Sequence, residues 1–299
     1  MCLICRKIAI FPRQDLSPLP CYAVRMEHKL GLVLARGGGN AAYQVGVWKC
    51  LCEAGISNRF SVVSGTSAGA LNAALFSVSS CGEAEMLWKG GLEEKILCHN
   101  SSAEESLCEA VSSFLGGDMG LLGGSVLSLA SGGIWGRGGL LRLMRGIPLE
   151  KLHGRGSPAV YATCSAVYPP LGVRHFRLNG FDVRTMRKIL LATSAIPLAF
   201  RPEEIGGALY CDGGISCNVP LAPLVREKCT DAIVVHLSQT GRISGDVPDS
   251  MHVLEIRPSV PLARRGVLDF SCGRIEKLIR LGYDDCKKAL SGRLGRFLP

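Results

Sequence analysis

The run Ser-Gly-Thr-Ser-Ala-Gly-Ala at 64–70 contains the pattern Gly65-x-Ser67-x-Gly69. An apolar, partly β-branched stretch precedes this run, and a stretch of small apolar residues that favours a helix follows it. The pattern therefore sits where a strand turns sharply into a helix, the arrangement called a nucleophile elbow. It predicts an α/β unit in which the helix packs against the sheet.

The elbow has a chemical interpretation and a purely structural one. A sharp turn strains the backbone of Ser67, and glycines two residues before and after it leave room for strand and helix to close together. The helix N-terminus then directs N–H groups and a positive dipole end at the serine, which favours an anionic tetrahedral intermediate. The alternative is a small-residue turn that packs a helix on a sheet. With 37 glycines in the chain, the pattern also arises by chance.

Strand and helix patterns alternate along most of the chain. This alternation predicts a mostly parallel central sheet covered by helices on both faces. The predicted strands are 30–35, 60–64, 159–163, 174–178, 232–236 and 252–256. The predicted helices are 41–54, 68–78, 83–89, 138–145 and 273–290.

Composition limits the classes of function. The 299 residues carry a formal net charge of +9 that is scattered, without the aromatic-interleaved basic stripe typical of nucleic-acid binding. Such an excess suits an anionic membrane surface, or simply a solvated face. The 14 cysteines lie mostly in apolar runs, and no secretory signal is evident, which indicates reduced thiols. No stretch approaches the ~20 apolar residues of a membrane span. A cytoplasmic protein, peripheral at a membrane, is expected.

Three segments differ from the rest. Residues 1–28 mix cysteine, proline and basic residues without periodicity, and they are expected to be a disordered extension or an artefact of the start site, with Met26 as the natural start. The main domain is expected over 29–292 and a short tail over 293–299. The Leu/Gly-rich stretch 101–135 suits either a lipid-facing lid or a packed insertion.

A serine nucleophile needs a base and donors for the oxyanion. Asp212 is the candidate base, since it precedes two glycines in a turn after a short strand, although a plain Asp-Gly turn reads the same. Consecutive glycines Gly37, Gly38 and Gly39 allow backbone N–H groups to converge on an oxygen. The rival interpretation is that this loop binds a phosphate group. However, the loop carries neither the Gly-Lys-Ser/Thr of a Walker loop nor a dinucleotide fingerprint.

Taken in this order, these pieces resemble the patatin-like phospholipase family. Several independent motifs share the resemblance, which covers about residues 30 to 290. They are Ala-Tyr-Gln-Val-Gly-Val-Trp at 42–48, Ala-Ile-Pro-Leu-Ala-Phe at 195–200, the Asp-Gly-Gly of the DGA/G motif at 212–214, Asn-Val-Pro at 218–220, and, as in the tail of bacterial members, Leu-Asp-Phe at 268–270 with Gly-Tyr at 282–283.

The resemblance implies a three-layer α/β/α fold and a Ser–Asp dyad that hydrolyses carboxyl esters of lipids, as in phospholipase A or lysophospholipase. Ser67 would form an acyl-enzyme, and Asp212 would accept the serine proton and later activate water. The residues implied are the nucleophile Ser67, the proton acceptor Asp212, the oxyanion-binding Gly37, Gly38 and Gly39, and the motif glycines Gly65, Gly69, Gly213 and Gly214. Neither a metal nor an organic cofactor is expected, and the partners are a lipid ester and a membrane or micelle surface, not nucleic acid. A triad through His236 or His252 is the second choice.

The glycine loop departs from the family pattern G-x-G-x-x-G. Its first glycine falls on Arg36 and its last on Ala41, whereas Gly38 keeps its place. Asn40 stands where a basic residue is common. A displaced oxyanion donor costs about 3–4 kcal/mol in transition-state stabilisation. The alternative function is therefore a weakly active or inactive patatin-like protein that binds lipid or a protein partner.

Overall fold

A computed structural model describes the chain over five stretches: residues 28–90, 144–168, 172–197, 200–263 and 270–297. Four of the regions discussed above lie wholly or mostly outside them: the expected extension 1–28 except His28, the Leu/Gly-rich stretch 101–135, the expected helix 138–145 except its last two residues, and the Leu-Asp-Phe motif at 268–270 except Phe270.

The described residues form eight strands and seven α-helices. The strands are β1 (Leu30–Leu34), β2 (Phe60–Thr66), β3 (Ala159–Ala166), β4 (Val173–Arg177), β5 (Glu203–Ile205), β6 (Ala208–Asp212), β7 (Asp231–Val235) and β8 (His252–Ile256). The helices are α1 (Ala42–Glu53), α2 (Ala68–Val78), α3 (Cys81–Lys89), α4 (Val183–Thr193), α5 (Ala222–Arg226), α6 (Cys272–Leu290) and α7 (Leu294–Phe297).

The strands join in one sheet of order β5-β6-β3-β2-β1-β7-β8, with β4 also paired to β3. Pairings β1–β2, β2–β3, β1–β7 and β7–β8 are parallel. Pairings β3–β4, β3–β6 and β5–β6 are antiparallel. The mostly parallel central sheet is confirmed, and its antiparallel part is gathered at one side.

Two apolar clusters lie on opposite faces of the sheet, as successive residues of β1 show. Leu32 and Leu34 belong to the larger cluster with buried residues of α1, α2, α4 and α6, whereas Val33 belongs to the smaller cluster with Leu224 of α5. Side chains alternate between faces along a strand, so β1 is buried on both sides. Helices therefore cover both faces of the sheet, as expected.

Helices α1 and α6 pack unusually close to each other. A Cβ atom at Gly46 would collide with the carbonyl oxygen of Ile279, and one at Gly282 would collide with that of Tyr43. Tyr43 also donates a hydrogen bond to Asp285 at 3.2 Å. Gly282 of the Gly-Tyr motif therefore lets α6 lie directly against α1, the helix that follows the glycine loop.

Strands β2 and β6 meet end to end along one edge of β3. Thr66 at the end of β2 pairs with Thr163, and Asp212 at the end of β6 pairs with the next residue, Cys164. At this level β4 occupies the other edge of β3. Because β2 and β6 run in opposite directions, their C-terminal ends face each other. The turn after Thr66 and the carboxyl group of Asp212 thus come together.

The observed elements differ from the predicted ones in details that have local causes. Helix α3 begins at Cys81 rather than at 83 because Ser80 and Glu83 form a capping box. The first predicted helix is preceded by a 3-10 turn, Gly38–Ala41, so the α-helix starts at Ala42. Helices α4, α5 and α7 and strand β5 were not predicted.

Candidate active site

Ser67 lies in the turn between β2 and α2 with a strained backbone. Its φ is 55° and its ψ is −128°, a region that residues other than glycine rarely occupy. It is the N-cap residue of α2, yet its side chain makes no capping hydrogen bond, which serine in that position normally does. The strained turn thus leaves the hydroxyl of Ser67 unused by the helix.

The glycines on either side of Ser67 allow backbone segments to touch. A Cβ atom at Gly65 would collide with Gly69 and lie 2.6 Å from the nitrogen of Ala70. A Cβ atom at Gly69 would collide with the carbonyl oxygen of Leu34 and lie 2.6 Å from that of Ala35. The elbow is therefore pressed against the end of β1, where the glycine loop begins.

The N–H group of Ser67 is held by α4. It donates a hydrogen bond of 2.9 Å to the hydroxyl of Thr193, which in turn donates to the carbonyl oxygen of Thr163 in β3. Sequence analysis gave no role to Thr193, and a threonine near a helix C-terminus carries no distinctive signal. Through it the elbow is tied to the strand that pairs with both β2 and β6.

Asp212 is fully buried at the end of β6. Its Oδ1 atom accepts a 2.7 Å hydrogen bond from the N–H of Gly214. No hydrogen bond of ordinary length reaches Oδ2 from the described residues, whereas the hydroxyl of Ser67 lies close enough to lower the pKa of the carboxyl group. Burial outweighs these effects and raises the pKa of Asp212 above its usual value. Hydrogen bonds between catalytic groups are often long without substrate and shorten when it binds.

The glycine loop is anchored at both ends and open in the middle. The N–H of Arg36 donates to the carbonyl oxygen of Asn218 at 3.1 Å, and that of Asn40 donates to Gly37 at 3.0 Å. Gly38 has a φ of 51°. Across the described stretches, no hydrogen bond uses the N–H groups of Gly38 and Gly39. These groups are available to an anionic oxygen.

A chain of buried amide groups, which we call the amide network, fixes the ends of the loop. Gln44 donates to the carbonyl oxygen of Ala35 at 2.7 Å, and Asn72 donates to that of Ala41 at 3.1 Å. Asn72 also donates to Gln44, and Trp88 donates to Asn72 at 2.8 Å. Sequence analysis missed this network. Its signal was one amide in each of two runs that are otherwise apolar or small, 42–48 and 68–76.

Arg36 brings a positive charge to the site. Its side chain is buried and lies against Gly214, where a Cβ atom would sit 2.7 Å from Nη1. Its charge lowers the pKa of Asp212, and the carboxylate in turn opposes the lowering of the pKa of Arg36 by burial. Sequence analysis identified the missing glycine at this position, but not the contact with the aspartate motif.

Position 40 also has a cationic neighbour. The side chain of Arg274 in α6 donates a hydrogen bond to Oδ1 of Asn40. Asn40 also donates, at 3.4 Å, to the carbonyl oxygen of Ala263. A guanidinium group from a distant helix therefore stands beside the place where the family commonly has a basic residue.

None of the histidines in the described ranges hydrogen-bonds to Ser67 or Asp212. His236 pairs with Glu255 at 2.6 Å, and the ring of His175 bonds to Thr163 at 2.9 Å. Burial and the charge of Arg226 lower the pKa of His175 to about 4, so its ring is neutral.

In the stretches that the structure describes, no group of three or more His, Cys, Asp or Glu side chains is placed to hold a metal ion. Within the same stretches, no helix combines the length and apolar character needed to cross a bilayer.

Comparison with solved structures finds loose similarity to two bacterial proteins. VipD from Legionella pneumophila matches at 14% identity with a TM-score of 0.47, over 89% of this chain and 67% of that one. ExoU, in its heterodimeric complex with SpcU from the type III secretion system of Pseudomonas aeruginosa, matches at 17% identity with a TM-score of 0.41. That match covers 90% of this chain and 52% of the other, so this chain spans about half of its length.

No curated protein sequence matches the chain. A family model does, and its match runs from residue 32 to residue 225, which takes in the glycine loop, the elbow and the aspartate motif. The resemblance identified from the sequence motifs is confirmed over that range. The chain belongs to the patatin-like phospholipase family.

Proposed function

We propose that the protein is a serine acyl hydrolase that cleaves carboxyl esters of lipids with a Ser67–Asp212 dyad. The observation that supports this most strongly is the end-to-end meeting of β2 and β6. It brings a strained serine with an unused hydroxyl next to a buried carboxylate whose Oδ2 atom has no other partner in the described structure. A purely structural turn would require neither the strain nor the buried charge.

The dyad acts in two steps. Oγ of Ser67 attacks the acyl carbon while Asp212 takes its proton, and the N–H groups of Gly37, Gly38 and Gly39 stabilise the oxyanion. The alcohol leaves with the proton from Asp212, and the acyl group remains on Ser67. Water then attacks the acyl-enzyme while Asp212 takes a proton from it. Asp212 returns this proton to Oγ of Ser67 as the carboxylic acid is released.

Phospholipids or lysophospholipids are the leading substrates, and a neutral-lipid or short-chain ester is the rival. We also propose that the protein is cytoplasmic and acts at a membrane or micelle surface. Its catalytic domain would span residues 29–292.

A fluorophosphonate probe tests the nucleophile and an ester assay tests the base. We expect labelling of the wild type, none in Ser67→Ala, and full labelling in Ser77→Ala, a control in the same helix whose hydroxyl donates only to its own helix at Ala73. Asp212→Asn should fold and lose about 10³-fold in kcat, since an amide cannot accept the serine proton. Labelling that persists in Ser67→Ala, or full turnover in Asp212→Asn, would contradict the dyad.

One observation favours a second candidate, a patatin-like protein that binds lipid or a protein partner without turnover. Arg36 replaces a loop glycine and places its side chain against Gly214 of the aspartate motif. If this side chain blocks the acyl group, folded wild-type protein will bind lipid vesicles but resist the probe. Labelling of the wild type excludes this candidate.

A further inference from the structure

Position 36 carries an arginine where the family pattern has a glycine. A glycine there would place nothing beside Asp212, whereas Arg36 places a side chain that is only 9% exposed along the aspartate motif. The contact is with Gly214, at which a Cβ atom would overlap the side chain of Arg36. The DGA/G motif admits alanine at this position, but with Arg36 present only glycine leaves enough space.

The position of Asp212 disfavours the ionised form of its carboxyl group. It is fully buried, and one ordinary hydrogen bond, from Gly214, reaches it. Burial of an ionised carboxylate is costly unless an opposite charge or several hydrogen bonds compensate. Without such a partner the group would take up a proton, and a protonated Asp212 could not act as a base.

The other groups that face Asp212 do not supply this charge. Cys211 on its own strand and Cys164 on β3 are buried thiols whose pKa values are raised, so they stay neutral. The hydroxyl of Ser67 approaches from the elbow. His175 of β4 reaches only as far as Thr163 and is neutral as well. The positive charge that acts on Asp212 comes from Arg36, at the end of β1.

We propose that Arg36 is a positioning residue which keeps the buried Asp212 ionised, and that Gly214 provides the space that admits its side chain. This rests on the proposed function, because the ionised form matters only if Asp212 is the base. The arginine remains charged across the working pH range, since its intrinsic pKa is far above neutrality. The charge of Arg36 thus stabilises the carboxylate of Asp212 in place of water, which the fold excludes.

Loss of the positive charge of Arg36 should change the pH dependence of activity. Activity requires ionised Asp212, so it falls as pH drops through the pKa of that group. Loss of the positive charge raises that pKa, and the acid limb of the kcat/KM profile moves to higher pH. Above the limb the freed carboxylate is at least as strong a base, so the plateau is kept or raised.

The test compares Arg36→Gln with Arg36→Lys, which retains the charge, and with Arg184→Gln, which removes a charge from the exposed face of α4. For Arg36→Gln we expect the acid limb to move up by at least about one pH unit and activity below the limb to fall about tenfold. Arg36→Lys should keep most of the original limb, and Arg184→Gln should not move it. Circular dichroism checks that each variant folds.

A second readout does not depend on turnover. In protein with ¹³C-labelled aspartate carboxyl groups and Ser67→Ala, the titration of Asp212 should move to higher pH when Arg36→Gln is added. An unmoved titration overturns the proposal whether or not the enzyme is active. Persistent probe labelling of Ser67→Ala would instead refute the proposed function and leave the titration result to stand alone.

The space at Gly214 is tested by a double-variant cycle. Gly214→Ala should lower activity and stability in the wild type and should do so much less in Arg36→Gly, where the clashing side chain is gone. Equal effects in the two backgrounds would contradict the role of Gly214. A rise of kcat at all pH values in Arg36→Gly, with no movement of the limb, would show instead that Arg36 obstructs the site. A change confined to KM for anionic lipids would show instead that Arg36 binds the lipid headgroup.

Discussion

The elbow and the glycine loop lie side by side at the ends of β2 and β1, but the fold constrains them in different ways. The elbow keeps the family pattern, and there backbone touches backbone on both sides of Ser67. The glycine loop has lost two of three pattern glycines, yet both of its ends are held, by the amide network and by the bond from Arg36 to Asn218.

This difference explains which departures the chain tolerates. At Gly69 a side chain has no space, because the neighbouring atoms are carbonyl oxygens of a central strand. At position 41 a side chain fits, because Ala41 has the backbone of a helix, with φ −68° and ψ −8°. At position 36 the side chain extends toward Gly214. A motif glycine is thus essential where backbones meet and replaceable where a neighbour leaves space.

The largest expected effect in this comparison comes from the elbow. Gly69→Ala should destabilise the protein by about 3 kcal/mol, because the new methyl group meets the carbonyl oxygens of Leu34 and Ala35. Urea unfolding measures this. The control is Gly82→Ala in α3, where nothing lies within 4 Å of the added carbon and no loss is expected. If both variants are equally stable, the elbow is looser than its contacts indicate.

An intermediate effect is expected from the amide network. Asn72→Ala removes the donors to Ala41 and Gln44 and leaves buried groups without partners, which should cost about 2 kcal/mol. Activity should fall more than in Trp88→Phe, which removes the outermost bond of the network and part of a buried ring, but leaves the bonds from Asn72 in place. Stability by denaturation and kcat/KM on the same ester distinguish them. Equal activity in the two variants would mean that the network does not position the loop.

The smallest effect is expected from restoring the last pattern glycine. Ala41→Gly should change kcat by less than about twofold, since Ala41 already has a backbone conformation that suits alanine. Stability should fall by about 0.5–1 kcal/mol, because glycine gains freedom in the unfolded chain. A large rise in kcat would show that the methyl group of Ala41 displaces the oxyanion donors, and the comparison would then fail at the loop.

Prediction from the sequence succeeded where a pattern is local. Strands such as 252–256 and helices such as 68–78 carry their own apolar spacing, and both were predicted with the observed bounds. The elbow was predicted for the same reason, since strand, turn and helix adjoin in the chain. Helix α4, which supplies Thr193, was not predicted. Strand β5 was not predicted either, because it is only three residues long, too short for a period-two signal to appear.

By itself the sequence determined the family, the mostly parallel sheet, and the residues Ser67 and Asp212 as the candidate pair, because motifs and periodicity are properties of neighbours along the chain. The tertiary structure alone decided what surrounds that pair. The antiparallel approach of β6 to the end of β2 brings Asp212 to the serine, and a buried arginine and a buried amide network complete the surroundings. Such contacts join residues far apart in sequence, and their strength depends on burial, which excludes water and leaves each charge or amide dependent on the partner that packing provides.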